Sequence, residues 1–387
     1  MKRQSLVVTV LIGALFLGGI GGFIFKTLPV AKPAQTSADS ATIVVKRPSS
    51  PKKTHAKSQP QTGQYTKAQA LAKINALMVH GHVMGTLLVT NNGLAGVKTL
   101  SYGYADVASG RKNSANEVYP LASLQKALTA TVIQSLINQG KLTMATPLST
   151  YFPKIRYAKR ITIRDLLDHT SGIRMGEPVP TMTLPNEAAE INFTVKHLKS
   201  TNNHAYAYSN ANFTLLAGII RKATGKSYMA NLQADVLKPL KMHHTYAYNQ
   251  VPINVINPNS YQLTNGYSQS AVISKPLQSS ELGCGSLYAS VGDYYKFINA
   301  LFTGKLVGQA GFNELSANQK LHYAAGIYYF SNGNVRIGGN DNSFHTYYMG
   351  TTDGQVGVVL FDNQGSFHGD NTIGLEIQAI LQRSEPF

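Results

Sequence analysis

The chain has 387 residues, 43% of them hydrophobic, with 35 Lys and Arg against 18 Asp and Glu and a single cysteine. That length and apolar content suffice for one large or two ordinary folded domains and exclude a wholly disordered chain. A formal charge of +17 favours an anionic partner, and the lone Cys284 excludes an intramolecular disulfide or a thiolate metal cluster.

Lys2 and Arg3 precede an uncharged stretch from Leu6 to Phe25. As a helix it would be roughly 30 Å long, the thickness of a bilayer core. A cleaved signal peptide competes, but Lys26-Thr27-Leu28-Pro29 offers no small-x-small cleavage site directly after Phe25. Residues 1–25 are therefore expected to be an uncleaved transmembrane anchor, with Lys2 and Arg3 inside and the rest of the chain outside the cell membrane. Residues 26–65 are rich in Lys, Pro, Ser, Thr and Gln, as in Lys46-Arg47-Pro48-Ser49-Ser50-Pro51-Lys52-Lys53, and read as a disordered basic tether. Nine Lys and Arg against Asp39 leave +8 over residues 1–66 and +9 over the rest, so both parts are basic. For a domain outside a membrane this favours anionic lipid or a polyanionic wall polymer such as teichoic acid over nucleic acid.

Folding is expected to begin near Thr66. Leu71, Ile74, Leu77 and Met78 recur at helical spacing. Strands 85–90 and 97–104 follow around the turn Asn91-Asn92-Gly93. Residues 123–138 read as a long helix ended by Gly140, with further helices at 163–167 and 211–223. Near the C-terminus 335–338, 344–349 and 355–361 read as strands and 373–381 as a helix. Strands at both ends of a helical middle suggest an α/β (α+β) sandwich of about 66–118 and 290–387, with a helical subdomain of about 119–289 inserted.

Ser123 and Lys126 stand three apart where an extended apolar run turns into the long helix. That spacing puts both on one helical face, so a neutral amine held in a dry pocket could take the hydroxyl proton. By itself the pair also fits an N-capping serine and a solvated lysine. Cys284, in Glu281-Leu282-Gly283-Cys284-Gly285-Ser286, reads as a buried spectator. The histidine pairs His80/His82 and His243/His244 have spacings unsuited to one helical face, so no metal and no cofactor is expected.

The company of this pair carries a resemblance. Tyr102-Gly103-Tyr104-Ala105, Ala122-Ser123-Leu124-Gln125-Lys126, Gly140-Lys141-Leu142, Ile161 through Gly172, Tyr208-Ser209-Asn210, Gly225-Lys226-Ser227-Tyr228 and Pro239-Leu240-Lys241-Met242 occur in the order seen in the serine hydrolases related to penicillin-binding proteins and class C β-lactamases. The chain resembles that family over about 84–383. The resemblance implies a β-lactamase/transpeptidase-like fold and an acyl-enzyme mechanism. It makes Ser123 the nucleophile, Lys126 the base, Tyr208 the proton carrier and Asn210 an orienting amide, and it gives His169 a loop-supporting role. The oxyanion would lie between the N–H groups of Ser123 and Gly339.

The third motif departs from the family. Where Lys-Thr-Gly or His-x-Gly is usual, Val335-Arg336-Ile337-Gly338-Gly339 places Arg336 at the cation and Ile337 at the hydroxyl residue, with Gly338 and Gly339 keeping the strand open to substrate. In that family the cation and hydroxyl hold a substrate's terminal carboxylate, and with the hydroxyl lost the chain, in its anchor, basic tether, S-x-x-K and Tyr208-Ser209-Asn210, is similar to membrane-anchored esterases that remove D-alanine from lipoteichoic acid. A D-alanyl-D-alanine carboxypeptidase acting on peptidoglycan stem peptides, with Arg336 substituting, and a non-catalytic wall-binding module are the alternatives.

Overall fold

The computed structural model describes residues 64–387 except 256, 265–266 and 319–321. The expected anchor and residues 26–63 of the expected tether lie outside the described residues. Tyr65, at the tether's end, belongs to the fold, its N–H donating to the Arg383 carbonyl at 3.1 Å and its carbonyl accepting from the Glu385 N–H at 3.0 Å. No helix among the described residues is long and apolar enough to cross a membrane.

Helix α1 (Lys67–His80) starts at a capping box, where Thr66 Oγ accepts from the Gln69 N–H and the Gln69 side chain accepts from the Thr66 N–H. It leads into strands β1 (Met84–Thr90) and β2 (Lys98–Tyr102), which pair antiparallel as expected, although a 3₁₀ turn at Gly93–Gly96 occupies the connection. The other strands of the main sheet come from the end of the chain: β3 (Tyr323–Ala324), β4 (Ile327–Tyr329), β5 (Asn334–Asp341), β6 (Phe344–Thr351) and β7 (Gly357–Gln364). The seven run in the order β3-β4-β5-β6-β7-β1-β2, so β7 joins the two ends of the chain, with Thr86 opposite Phe361 and Val89 opposite Val358.

Side-chain alternation gives the sheet two apolar faces. On one, Leu87, Val89, Tyr347, Met349, Val358 and Leu360 pack with Ala70, Ile74 and Met78 of α1 and with Ile377 and Leu381 of the C-terminal helix. That helix spans Phe367–Leu381, six residues longer at its start than the apolar pattern indicated, because its first turn is capped by Ser366 rather than marked by hydrophobic residues. On the other face Leu88, Tyr348, Val359 and Phe361 join a larger core with helices α2 (Gln125–Asn138), α3 (Ile163–Leu167), α4 (Glu187–His197), α5 (Asn210–Thr224) and α6 (Val291–Phe302). Helices α4 and α6 were not anticipated: α4 mixes its apolar residues with polar ones and shows only a weak stripe, whereas α6 carries a clear one, Val291, Tyr294, Tyr295, Ile298, Leu301 and Phe302, that was legible in the sequence.

Glu190 of α4 is only 4% exposed and its Oε2 has no hydrogen-bond partner. Burial, then the neighbouring Glu187, pushes its carboxyl up to about 8, with Arg221 opposing. The folded state thus keeps a proton that the unfolded chain loses above about pH 4.3. This contribution to stability is complete below that pH and is lost as pH rises through 8. Melting of the full-length protein followed by circular dichroism should show Glu190→Gln raising Tm by about 2 °C or more at pH 8.5 and flattening the fall between pH 5 and 8.5. Parallel curves for the two proteins would contradict the assignment.

Candidate active site

Tyr119–Pro120 pairs with the short strand Leu287–Ala289, and the Leu121 N–H donates to the Leu287 carbonyl at 2.7 Å. The chain then turns sharply through Ala122, whose φ of +46° lies in the left-handed region that a side chain disfavours. A 3₁₀ turn over Ala122–Leu124 feeds directly into α2. Ser123 and Lys126 therefore meet: Nζ donates to Ser123 Oγ at 2.9 Å. Ser123 Oγ lies 2.7 Å from the Tyr208 hydroxyl, and Nζ lies 4.9 Å from the Tyr208 ring centroid. Lys126 is 1% exposed, whereas Ser123 and Tyr208 are partly open to solvent.

Two supports hold this triangle. The first is the loop before Leu287. Lys126 Nζ also donates to the Cys284 carbonyl at 3.2 Å, Thr129 Oγ1 donates to the Gly283 carbonyl at 2.7 Å, and the Leu287 N–H donates to Gln125 Oε1 at 3.0 Å. Cys284 is buried, and what it offers the site is its carbonyl; its thiol is pushed up to about 12 by burial. This role was not evident in the sequence, where only the small residues of Gly283-Cys284-Gly285 hinted at close packing.

The second support is His169, buried and held at a φ of +57°. Its Nδ1 accepts from Asn212 Nδ2 at 2.9 Å and from the Ser209 N–H at 3.3 Å, so the proton sits on Nε2, which donates to the Tyr323 hydroxyl at 3.0 Å. Its carbonyl accepts from the Ala207 N–H at 2.9 Å. Burial first, then the charges of Lys126 and Arg174, pushes the imidazole well below its usual pKa. His169 is thus a neutral bracket for the Tyr208 segment, with the two rings 4.4 Å apart.

Asn210 opens α5, but Lys126 is held by Ser123 and Cys284, and Asn210 Oδ1 is buried without a hydrogen-bond partner. The third motif also needs correcting. Along β5 burial alternates so that Val335, Ile337, Gly339 and Asp341 face inward while Arg336, Gly338 and Asn340 face the other way. The inward face meets the nucleophile: a Cβ on Gly339 would lie 2.7 Å from the Leu121 carbonyl oxygen and 3.1 Å from Ala122 Cβ. Arg336 instead donates from Nε to Asn371 Oδ1 of the C-terminal helix, and Gly338 lies over the same guanidinium. A period of two means that one step along the strand exchanges faces, so the inward position expected of Arg336 is taken by Ile337. Among the described residues β4 pairs only with Val335 and Arg336, and no strand of theirs pairs with the edge from Ile337 to Asp341 beside Ser123.

Burial alone draws the Lys126 ammonium down, but negative charge when Tyr208 or Cys284 ionises, the hydrogen bond to Tyr208 and the Glu177 carboxylate outweigh it and hold its pKa above the usual lysine value. Burial raises the Tyr208 phenol, with Lys126 opposing. The resting pair therefore carries a proton on each partner, and the neutral amine expected from the S-x-x-K spacing is not the resting form. A base appears when the pair gives up one proton, which Lys126 and Tyr208 can then exchange across Ser123 Oγ.

Away from Ser123, on the sheet face covered by the C-terminal helix, His345, Asp362 and Asp370 are buried with potential ligand atoms within 4.8 Å of one another. The imidazole is engaged, with Nδ1 2.8 Å from Asn340 Oδ1 and a further hydrogen bond to the Gly365 backbone. Asp362 Oδ1 accepts from the His345 N–H at 3.3 Å, whereas Asp362 Oδ2 and Asp370 Oδ2 are buried without a hydrogen-bond partner.

Residues 71–381 match the family model described as Beta-lactamase. The chain belongs to the beta-lactamase family. It is 30% identical over 318 residues to a Bacillus subtilis protein named penicillin-binding protein PbpX, covering 81% of this chain and 78% of that one. It is 26% identical over 238 residues to the teichoic acid D-alanine hydrolase of Staphylococcus aureus, covering 60% of this chain and 58% of that protein. Among solved structures, FmtA from Staphylococcus aureus superposes with a TM-score of 0.72 at 23% identity over 85% of this chain and 91% of that one. D-amino acid amidase from Ochrobactrum anthropi gives a TM-score of 0.68 at 20% identity over 81% and 97% of the two chains. This likeness is one of fold: the α+β architecture of beta-lactamase-family serine hydrolases.

Because the Lys126–Tyr208 pair must lose a proton before Ser123 can attack, labelling of Ser123 by a neutral fluorophosphonate should accelerate by about tenfold per pH unit from 7 towards 10, the ordinary lysine range. The rate, read by intact-protein mass spectrometry, should drop at least about 100-fold in Lys126→Ala. A rate flat across that range would refute the protonated resting pair.

Proposed function

We propose that the protein is a serine esterase of the bacterial envelope that releases D-alanine from ester linkage on teichoic or lipoteichoic acid. The observation that carries this reading is the hydrogen-bonded Ser123–Lys126–Tyr208 triangle beside a strand that presents Ile337, not a cation, to the nucleophile. A carboxypeptidase substrate ends in a carboxylate that such a strand would leave unpaired, whereas a D-alanyl ester has none on its leaving side. The relative named teichoic acid D-alanine hydrolase supports the same choice.

In the proposed reaction the Lys126–Tyr208 pair first gives up one proton to solvent, and Ser123 Oγ then attacks the ester carbonyl as its own proton passes to the pair. The oxyanion lies between the Ser123 N–H at the helix start and the Asn340 N–H on the open edge of β5, because strand alternation turns the Gly339 N–H expected there the other way, towards Thr346 of β6. Tyr208 returns a proton to the departing polyol oxygen. Water then attacks the D-alanyl-enzyme through the same pair, giving free D-alanine and Ser123. Under this reading residues 1–25 anchor the protein in the membrane with its catalytic domain outside, and the basic tether and surface hold the polymer's phosphates.

The alternative is a penicillin-binding protein acting on stem peptides, in line with the relative named PbpX. An inert wall-binding module is disfavoured, since nothing in a docking role requires a buried lysine bonded to a serine hydroxyl. Incubating the full-length protein with D-alanylated lipoteichoic acid and measuring free D-alanine decides among them. Release should fall by about 10³-fold or more in Ser123→Ala and Lys126→Ala, and by about 10²-fold or more in Tyr208→Phe. Release unchanged by Ser123→Ala would sink the proposal, and stable acylation by labelled penicillin together with muropeptide cleavage would favour the alternative.

A further inference from the structure

We propose that Glu281 and Asp341 form the subsite that receives the α-ammonium of the acyl group, so that the enzyme selects aminoacyl substrates with a free amine over N-acylated ones. The inference rests on the hydrolytic reading above and adds to it what the site recognises.

A chain of charge +17 nonetheless gathers carboxylates around its nucleophile. Asp341 lies on β5 two residues beyond Gly339 and on the same inward face, about 7 Å further along the strand. It is 5% exposed, and neither carboxylate oxygen has a hydrogen-bond partner. Glu281 precedes Cys284, whose carbonyl holds Lys126, by three residues. Its side chain lies over Gly285, where a Cβ would stand 2.9 Å from Oε2, and that oxygen also has no partner. Neither carboxylate forms an ion pair with Lys, Arg or His among the described residues.

Unpartnered buried carboxylates are costly, and two together more so. Burial followed by the charge of Asp341 holds Glu281 well above the usual range, with Lys126 partly opposing, and burial pushes Asp341 up to about 7. An ammonium has three N–H donors and a positive charge, which supplies what both groups lack. Glu177, at φ +52° on an exposed loop, adds a carboxylate to the field felt by Lys126 and Glu281. Asn210 Oδ1, two residues beyond Tyr208, is another buried acceptor without a partner. An N-acylated substrate offers one N–H and no charge, and would leave the carboxylates unpaired. A D-alanyl ester has its amine one carbon from the carbonyl that Ser123 attacks, so recognition there acts on the acyl part, which stays on the enzyme.

The test compares kcat/KM of the full-length protein for D-alanine methyl ester and N-acetyl-D-alanine methyl ester. The wild type should prefer the free amine. Asp341→Asn and Glu281→Gln should each reduce that ratio by about 10- to 100-fold, the value of one charge-assisted hydrogen bond, and Asp341→Glu should retain more of it than Asp341→Asn. A parallel reading needs no turnover: D-alaninamide should slow fluorophosphonate labelling of Ser123 in the wild type more than in either neutral variant, and N-acetyl-D-alaninamide should not protect. No wild-type preference in either measurement, or a ratio preserved in both variants, overturns the subsite. Failure to release D-alanine from lipoteichoic acid with amine selectivity intact would instead remove the polymer as substrate and leave the subsite standing.

Discussion

A lysine amine with 1% of its surface exposed is the constraint around which this site is arranged. Such a group is tolerated only where hydrogen-bond acceptors surround it, and here one is local, the Ser123 hydroxyl one turn back, and two come from distant stretches of chain, the Cys284 carbonyl and the Tyr208 phenol. Each acceptor is itself braced. Gln125 and Thr129 tie α2 to the segment around Cys284, and His169 fixes the backbone on both sides of Tyr208. The close triangle at Ser123 Oγ is the outcome of that bracing.

The main sheet supplies the remaining wall. Because β7 pairs with both β6 and β1, the two ends of the chain close into one sheet, and β5 is held against the start of α2. Only glycine at 339 permits that approach, since a Cβ would collide with the Leu121 carbonyl and Thr346 Oγ1. Early termination of β4 then leaves the inner part of β5 with a free edge, where a substrate can lie along the backbone.

Charge acts on two scales in this molecule. The net +17 is spread along the chain and is felt at long range, where it favours polyanions. Around the nucleophile the sign reverses, because Glu177, Glu281 and Asp341 lie within the field of Lys126 or of one another. Under the proposed function, a polyanion that carries cationic aminoacyl groups would match both signs at once, its phosphates to the surface and its ammonium to the carboxylates.

Much of this was legible from sequence where the signal is local. Leu71, Ile74, Leu77 and Met78 at helical spacing mark α1, the segments 335–338, 344–349 and 355–361 mark strands near the C-terminus, and i,i+3 spacing at a helix start puts Lys126 and Ser123 on one face. Motif order extended that to Tyr208. Helix α4 was missed because its apolar residues form only a weak stripe, whereas the stripe of α6, Val291, Tyr294, Tyr295, Ile298, Leu301 and Phe302, was legible and was passed over. The face of β5 could not be settled either: Arg336 and Ile337 differ by one residue, and only packing against Leu121 and Ala122 decides which of them looks inward. The protonation of Lys126 and the isolation of Glu281 and Asp341 likewise belong to the tertiary structure, since burial and the charges of residues 50 to 200 positions away set them. Spacing along the chain determines which groups can act together within a helical turn, and only the folded core determines which groups are left without water.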